Sequence, residues 1–442
     1  MDIQKILSKL RIEQLNEMQQ HAAEAIQGSD GDVVLLSPTG SGKTLAYMLP
    51  LLQLLNSDSA EVQAMVVTPG RELALQSDNV LKSMGSGFRS VSCYGGRAAM
   101  DEHRVLKDVK PQIVFGTPGR LNDHLEKENI ARYHIRYLVI DEFDKCLEMG
   151  FQGEMQRLIK SLPGLQRRIL LSATSAEEIP LFVNMGKKGT LIDFRSDDEQ
   201  TSERVTLYEV RSPLKDKLDT LRQLLLGFGN ESSIVFLNYR DSVERVDNYL
   251  RQQGFVTSCF HGGLEQKQRE DALYKFSNGS ANVLVSTDLA SRGLDIPDIQ
   301  NIIHYHLPES EDGYIHRVGR TARWDTTGRT FFILNSGEHI PSYVEGDVVP
   351  YTEEEPQPTQ QPPLPRMGTL YIGKGKKDKI SKGDIVGFLC KTGGLKADEI
   401  GRIDVKDRYA YVAVRRERLQ QVLRQTQGEK IKGIRTIIEP VR

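Results

Sequence analysis

Cysteine is scarce: four residues in 442, Cys93, Cys146, Cys259 and Cys390, lie far apart with no CxxC pair. That pattern excludes a disulfide scaffold and a zinc module built on paired cysteines, and it fits a reducing, cytoplasmic setting. Long hydrophobic runs are also lacking. The longest, "YMLPLLQLL", falls well short of the ~20 residues a membrane-crossing helix needs. The opening "MDIQKILSKLRIEQ" mixes both charge signs at helical spacing, where a signal peptide would carry a basic head and an apolar core. No membrane role is suggested. Tryptophan occurs once, and no aromatic residue lies within the first eighteen positions.

Net charge is small, at −2, but it is unevenly spread. Residues 366–442 hold 19 Lys+Arg against 9 Asp+Glu, a net of +10, which leaves 39 against 51, or −12, for the rest. A basic end on an acidic body points to a phosphate-rich partner, with a solvated lysine-rich face as the plainer reading.

With 38% hydrophobic and 27% charged residues the chain reads as globular, and ~150 residues per domain suggests two to four domains. From residue 30 to 195, the runs "DVVLLS", "AMVVTP", "SVSCYGG", "QIVFGTP", "YLVIDE" and "RILLSAT" alternate with helical stretches. Continuous apolar strands separated by helices imply a parallel sheet covered on both faces, with ligands at the carboxyl ends of the strands. The rhythm restarts near 205 with "RVTLYEV", "SIVFLN", "FVTSCFHGG", "NVLVSTD", "IQNIIHYHLP" and "RTFFILN". A third pattern, β-α-β-β-α-β, occupies the basic end, as in ferredoxin-like and RNA-recognition-motif (RRM-like) sandwiches. The expected fold is α/β: two tandem parallel-sheet domains, residues 1–197 and 204–335, a Pro/Gln/Glu-rich linker at 336–365, and a small α+β domain at 366–442. The polar stretch 194–203 is expected to act as a hinge.

Chemistry is concentrated at strand ends. The first strand runs into "SPTGSGKT", residues 37–44. Gly40 and Gly42 let backbone N–H groups face a phosphate, Lys43 offers a charge to the β and γ phosphates, and the Thr44 hydroxyl can hold Mg²⁺. Ser37 stands where the general pattern has its first glycine, and a glycine-rich turn without a ligand is the plainer reading. "LVIDEFD" places Asp141, Glu142 and Asp144 at the end of another strand. Such a cluster is either a solvated turn or a site that expects a cation. Read with the phosphate loop, Asp141 would position Mg²⁺ and Glu142 would orient and deprotonate a water.

"SPTGSGKT", "DEFD", "SAT" at 172–174, "STDLASRGLD" at 286–295 and "HRVGRTAR" at 316–323 occur in the order and spacing of the DEAD-box RNA helicases, which residues 1–335 resemble. "LNEMQ", "PGRELA", "GG" at 95–96, "TPGR" at 117–120 and "HGGLEQKQRE" support the likeness. The resemblance implies two RecA-like domains and an RNA-stimulated ATPase using ATP and Mg²⁺ to pry short duplexes apart. It implies that Gln19 reads adenine and that Thr39, Gly40, Ser41, Gly42, Lys43, Thr44, Gly293 and Asp295 bind ATP, Asp295 at the ribose. Thr44 and Asp141 would hold the metal. Glu142 and Lys43 would be catalytic, with Arg320 and Arg323 as arginine fingers acting when the lobes close. Ser172 and Thr174 would couple hydrolysis to strand separation, and Arg317 would pair with an acid across the lobes. Single-stranded RNA would contact Arg71, Gly96, Thr117 and Arg120, and Gly262, Gln266, Arg269 and Thr287, through its sequence-blind backbone. Two departures stand out: Phe143 replaces the Ala of the family motif, and Gly70 replaces Thr. By strand alternation Phe143 should point away from Glu142 and Asp144, as a packing adjustment.

In the third unit, Tyr371, Tyr409 and Tyr411 sit on central strands where they could stack bases or simply pack a sheet. Lys376 and Lys377, in "GKGKKDK", read as phosphate contacts. The unit resembles the C-terminal domain of DbpA-type helicases in "KGDIVGFL", "GLKADEIGRIDV", "YVAVR" and "QGEKIKG". That likeness implies delivery of the core to large-subunit ribosomal RNA during ribosome assembly, the linker raising effective concentration. An ATP-gated RNA clamp or annealer with weak hydrolysis, and a DNA translocase of the wider superfamily, are the alternative readings. A monomer is the expected state.

Overall fold

The computed structural model describes residues 2–28, 31–38, 40–96, 99–173, 179–183, 185–186, 189–195, 205–288, 299–321, 327–352 and 361–441. They form two compact units, one from Met1–Glu203 and the other from the chain beyond.

The first unit is a seven-stranded parallel sheet. Its strands are β1 (Val33–Leu36), β2 (Ala64–Val67), β3 (Ser90–Cys93), β4 (Ile113–Gly116), β5 (Tyr137–Ile140), β6 (Arg167–Ser172) and β7 (Thr190–Asp193), in the order β3-β4-β2-β5-β6-β1-β7. Side chains alternate between faces along each strand. Ala64, Val66 and Val139 enter one core with the helices Glu17–Gly28, Lys43–Leu54 and Arg71–Met84. Met65, Val67, Leu138 and Ile140 enter another with Pro118–Glu126 and Gln152–Lys160. Burial on both faces is why these strands read as unbroken apolar runs. The first six had a sequence signal; β7, at the edge beside β1, had none.

The second unit repeats the plan. β8 (Val205–Arg211), β9 (Ser233–Leu237), β10 (Thr257–Phe260), β11 (Val283–Thr287), β12 (Asn301–His304), β13 (Gly328–Leu334) and β14 (Val348–Pro350) lie parallel in the order β10-β11-β9-β12-β13-β8-β14. β14 comes from the stretch read as linker. Val348–Pro350 pair with Leu207–Glu209, and Ile340, Val344 and Val348 pack on the apolar cluster of Val205, Leu207 and Phe332. Tyr351 meets the Phe331 ring at 5.1 Å and the Tyr208 ring at 5.4 Å, both edge-on. Chain from 336 to 352 is therefore part of this lobe. Residues 353–360, where the acidic run gives way to the proline- and glutamine-rich tract, lie outside the described residues.

From residue 361 onward the same unit carries an antiparallel sheet, β16-β17-β15-β20, from β15 (Met367–Ile372), β16 (Ile400–Val405), β17 (Ala410–Arg415) and β20 (Ile438–Pro440), with a small β18 (Lys430–Ile431) and β19 (Ile434–Arg435) hairpin. Leu370, Ile372, Ala410, Val412 and Val414 face the helices Lys382–Lys391 and Leu419–Thr426. The opposite face lies on the lobe helix Gln266–Ser277. Tyr411 stacks on Tyr274 at 4.8 Å, Asn278 Nδ2 donates to Thr369 Oγ1 at 2.9 Å, and Arg416 donates to the Ser280 carbonyl at 2.8 Å. No helix among the described residues is long and apolar enough to cross a membrane.

Candidate active site

The phosphate loop is assembled by pairing of β1 with β6. Ser37 N–H donates to the Ser172 carbonyl at 3.0 Å, one step past the Leu36–Ser172 register. The loop then turns through Gly40 and Gly42 at φ of 86° and 90°, the left-handed region that glycine enters without a Cβ penalty. Lys43 opens the following helix and folds back, donating to the Ser37 and Pro38 carbonyls, the latter at 2.7 Å. Ser37 Oγ donates to Ser41 Oγ at 2.7 Å. Gln19 is 4% exposed and joins this loop: its Nε2 donates to the Gly42 carbonyl at 3.3 Å. Its Oε1 accepts from Asn16 N–H while Asn16 Oδ1 accepts from Gln19 N–H, a reciprocal cap at the start of Glu17–Gly28. Asn16 Nδ2 completes the link to the Ser41 carbonyl at 3.1 Å. Asn16 was passed over in the sequence, although the Asn-x-x-Gln spacing of Asn16 and Gln19 is a capping-box signal that marks it.

The acidic cluster sits at the end of β5. Asp141 N–H donates to the Val67 carbonyl at 2.9 Å, and Asp141 is 3% exposed. Burial, then the charge of Glu142, pushes its carboxyl up to about 7, although Lys43 pulls the other way. Glu142 has φ 51° and ψ 54°. A left-handed non-glycine residue costs on the order of 1–3 kcal/mol, and such strain is concentrated at functional sites. Phe143 is 1% exposed in the core with Cys146 and Met155. The expectation that it packs away from the site holds, but it does so as the first residue of the helix Phe143–Glu148, not by strand alternation. The donor set fits magnesium: Asp141 is a buried carboxylate beside two further acids and within the field of the phosphate-loop lysine, so a divalent cation would relieve its desolvation. Thr44 follows Lys43 in the helix and supplies a hydroxyl.

Sheet order separates two groups of candidates in this unit. Apart from Gln19, on the helix before β1, those for nucleotide and metal lie after β1 and β5, with the coupling candidate Ser172 at the end of β6 between them, and those for RNA lie after β2, β3 and β4. Arg71 opens the helix Arg71–Met84 and lies over Gly95 and Gly96. A Cβ at Gly96, φ 92°, would stand 2.6 Å from Arg71 Nη1. Thr117 caps Pro118–Glu126 and donates its N–H to the Cys93 carbonyl at 3.2 Å. Arg120 reaches Glu102 Oε2 at 3.3 Å, and the same oxygen lies 2.9 Å from His124 Nε2. Glu102 Oε1 accepts from Tyr94 N–H, and Asn129 closes on His124 Nδ1 at 3.0 Å. This buried network, missed in the sequence because its members come from several separate segments, fixes the direction of Arg120. Cys93 lies within 4.8 Å of it, but burial and Glu102 hold its thiol well above the usual range, so it remains a neutral thiol.

In the second unit Gly262 follows β10, and Gln266 opens its helix behind a Glu265–Gln268 capping box. Arg269 lies over the Phe260 ring at 5.0 Å, and Thr287 ends β11, 8% exposed. Arg317 is buried within its own lobe: its guanidinium donates to Asp288 Oδ2 and Asn238 Oδ1, each at 2.8 Å, and to the His306 carbonyl at 2.6 Å. Its acid partner here is thus internal to the lobe, where the resemblance implied one across the lobes. Arg320 is 2% exposed and its Nε donates to the His316 carbonyl at 3.3 Å. Ser172 is 2% exposed at the end of β6. Thr39, Thr174, Gly293, Asp295 and Arg323 lie outside the described residues.

The three tyrosines of the C-terminal sheet meet protein in this structure. The Tyr409 and Tyr411 hydroxyls donate to Glu270 and Asp271, and Lys267 lies 4.7 Å over the Tyr371 ring. Tyr411 is 1% exposed. Lys376 and Lys377 are exposed in the loop that follows β15.

Comparison with known proteins agrees with these features. The DEAD/DEAH box helicase family matches residues 16–181, the helicase conserved C-terminal domain 216–325, and the DbpA RNA binding domain 369–440. The ATP-dependent RNA helicase DbpA of Escherichia coli is 34% identical over 410 residues, covering 91% of this chain and 89% of that protein. DbpA of Bacillus subtilis is 31% identical over 430 residues, covering 91% and 90%. Among solved structures, S. cerevisiae Dbp5 bound to RNA and ADP BeF3 aligns with a TM-score of 0.68 and 25% identity, over 75% of this chain and 86% of that one. A phosphate loop after β1, acids at the tip of β5 with β6 between the two strands, and a second lobe of the same plan define a two-lobed ATPase, and the chain belongs to the DEAD-box ATP-dependent RNA helicases, a family of RNA-stimulated ATPases. Within that family it is of the DbpA type.

Proposed function

We propose that this helicase remodels large-subunit ribosomal RNA during ribosome assembly, with its basic C-terminal domain choosing the target. The carrying observation is the match of residues 369–440 to the DbpA RNA binding domain, coincident with the net charge of +10 on residues 366–442. Backbone contacts by Arg71, Gly96, Thr117, Arg120, Gly262, Gln266, Arg269 and Thr287 carry no sequence information, so selectivity has to come from elsewhere on the chain. Lys376 and Lys377 supply phosphate contacts on an accessible loop. Tyr411 is available to a base only if the sheet leaves the Gln266–Ser277 helix, whereas Tyr371 and Tyr409 are partly exposed beside it.

In the ATPase step, Lys43 and the loop N–H groups hold the β and γ phosphates, and Thr44 and Asp141 would hold magnesium, which would supply charge neutralisation at the phosphates. Glu142 takes a proton from water as the water oxygen bonds to the γ-phosphorus, and the bond from that phosphorus to ADP breaks, leaving ADP and phosphate. Arg320 and Arg323 stabilise the charge on the transferring group. Gln19 and Asp295 contact the adenosine, and Ser172 and Thr174 link the nucleotide to RNA.

The test joins Lys376→Glu to Lys377→Glu and measures ATPase stimulation by a ribosomal RNA hairpin fragment and by unstructured RNA. Loss of two phosphate contacts raises the half-stimulating concentration of the hairpin by about tenfold or more, and leaves that of unstructured RNA unchanged. Equal loss with both RNAs overturns the targeting role.

A further inference from the structure

Where the C-terminal sheet lies on the second lobe, a cavity of about 210 Å³ opens between them, with three cations at its wall: Arg251 and Lys275 of the lobe and Arg416 of the C-terminal domain. Thr257, Ser280 and Thr369 add polar groups and Phe255 an apolar side. Lys275 is 6% exposed, yet among the described residues its ammonium makes one hydrogen bond, a long one of 3.4 Å to the Thr257 carbonyl, and no ion pair. Arg416 spends Nε on the Pro365 carbonyl at 2.7 Å and one Nη on the Ser280 carbonyl at 2.8 Å, leaving its other Nη without a described acceptor. Among the described residues Arg251 is the one cation of the three with a counter-ion, Asp247 at 2.8 Å, and its Nη1 likewise makes no bond to a described residue. Asp247 is further taken up by the Thr257 hydroxyl, and Asp271, the next acid toward the cavity, by Tyr411 and Lys267.

A buried ammonium with no counter-ion is costly, and the half-buried Arg416 and the more exposed Arg251, its side chain 44% accessible, add like charge beside it against one committed carboxylate. Burial and the neighbouring arginines accordingly pull Lys275 down to about 8. An anion in the cavity would remove the penalty and satisfy the remaining guanidinium donors, whose planar forks suit the oxygens of a phosphoryl group. Size narrows the choice. Taking ~30 Å³ per water, the cavity holds about seven waters, and pockets for drug-sized ligands start near ~300 Å³. One phosphoryl group with some hydration fits; a whole nucleotide does not.

We propose that this cavity is a phosphoryl-anion site, filled by an RNA phosphodiester or by free inorganic phosphate, that fastens the C-terminal domain to the second lobe. Both walls contribute cations, so the anion binds only when the domains are docked, and its binding free energy adds to docking.

The test uses the full chain at constant ionic strength, exchanging chloride for inorganic phosphate, and reads the rate of amine-reactive labelling of Lys275 by mass spectrometry together with the thermal midpoint. Occupancy that returns the lysine's pKa upward by about one unit slows its labelling about tenfold near neutral pH. Phosphate also raises the midpoint of the wild type more than that of Lys275→Met, which keeps the apolar stem; the variant comparison cancels any effect at the phosphate loop. A short unstructured RNA, added without nucleotide, distinguishes the sources: protection of Lys275 by the RNA indicates a phosphodiester, and protection by phosphate alone a free anion. If neither slows Lys275 labelling relative to chloride, or if Lys275→Met shows the full midpoint shift, the site does not exist. Should Lys275→Met fail to fold, wild-type labelling alone decides.

Discussion

Phe143 shows how a departure from a family motif is absorbed by packing. The motif needs Asp141 and Glu142 at the strand end, and the residue after them enters the core among Cys146 and Met155. Restoring alanine with Phe143→Ala therefore removes a fully buried ring. Such truncations cost about 3–5 kcal/mol when the surroundings cannot collapse. The expected outcome is a large fall in thermal midpoint with ATPase turnover per folded molecule retained below that midpoint. Glu142→Gln should do the reverse, keeping the midpoint and lowering turnover on the order of 10²-fold or more, as loss of a general base does. Calorimetry beside steady-state ATPase assays separates the two, and a turnover loss in Phe143→Ala matching that of Glu142→Gln would place the ring in the chemistry.

At the level of elements, the strands that build both lobes were legible because burial on two faces writes an unbroken apolar run, and the catalytic loops because they follow those runs. β14 was not legible. Its three residues sit beside a proline- and glutamine-rich tract, and an edge strand exposed on one side needs no apolar run: Val349 is 42% exposed. Tyr371 of β15, Tyr411 of β17 and Tyr409, just before β17 and not on a strand as expected, show a different limit. Alternation tells that Tyr371, Tyr409 and Tyr411 share one face of the sheet, but what covers that face depends on Glu270, Asp271 and Tyr274, distant in the chain. The Glu102 network around Arg120 was hidden for the same reason. A test of β14 is Tyr351→Ala, which removes edge contacts to Phe331 and Tyr208. Aromatic pairs contribute about 0.5–1.5 kcal/mol each beyond area burial. The loss should be on the order of 2 kcal/mol in the second lobe, seen as faster hydrogen exchange in β8 and β13 while the first lobe's exchange is unchanged. Unaltered exchange in β8 would mean that the segment is not structurally part of the lobe.

For the second unit as a whole, two buried basic groups make stability rise with pH in two separate windows. His304 is fully buried, stacked on Phe332 at 4.6 Å, and burial with the Arg317 charge holds its pKa well below 6.5. The unfolded chain binds that proton first, so stability falls as pH drops below about 6.5. Lys275 acts at the alkaline side. Its pKa is about 8 in the folded unit against 10.5 unfolded, so between those values the unfolded state again holds more protons, and stability rises with pH across that window. Below about 8 the charged lysine imposes its full penalty, on the order of 3 kcal/mol for a displacement of this size. The thermal midpoint of the wild type, measured relative to Lys275→Met to cancel other titrations, should therefore climb from about pH 8 toward 10.5 and lie flat below that window. Saturating inorganic phosphate should move the start of that climb to higher pH, because an anion beside the ammonium restores its affinity for the proton. A difference curve that is flat throughout, with and without phosphate, would mean that Lys275 is not held as a buried cation, and the docking of the C-terminal sheet would then need no anion to complete it.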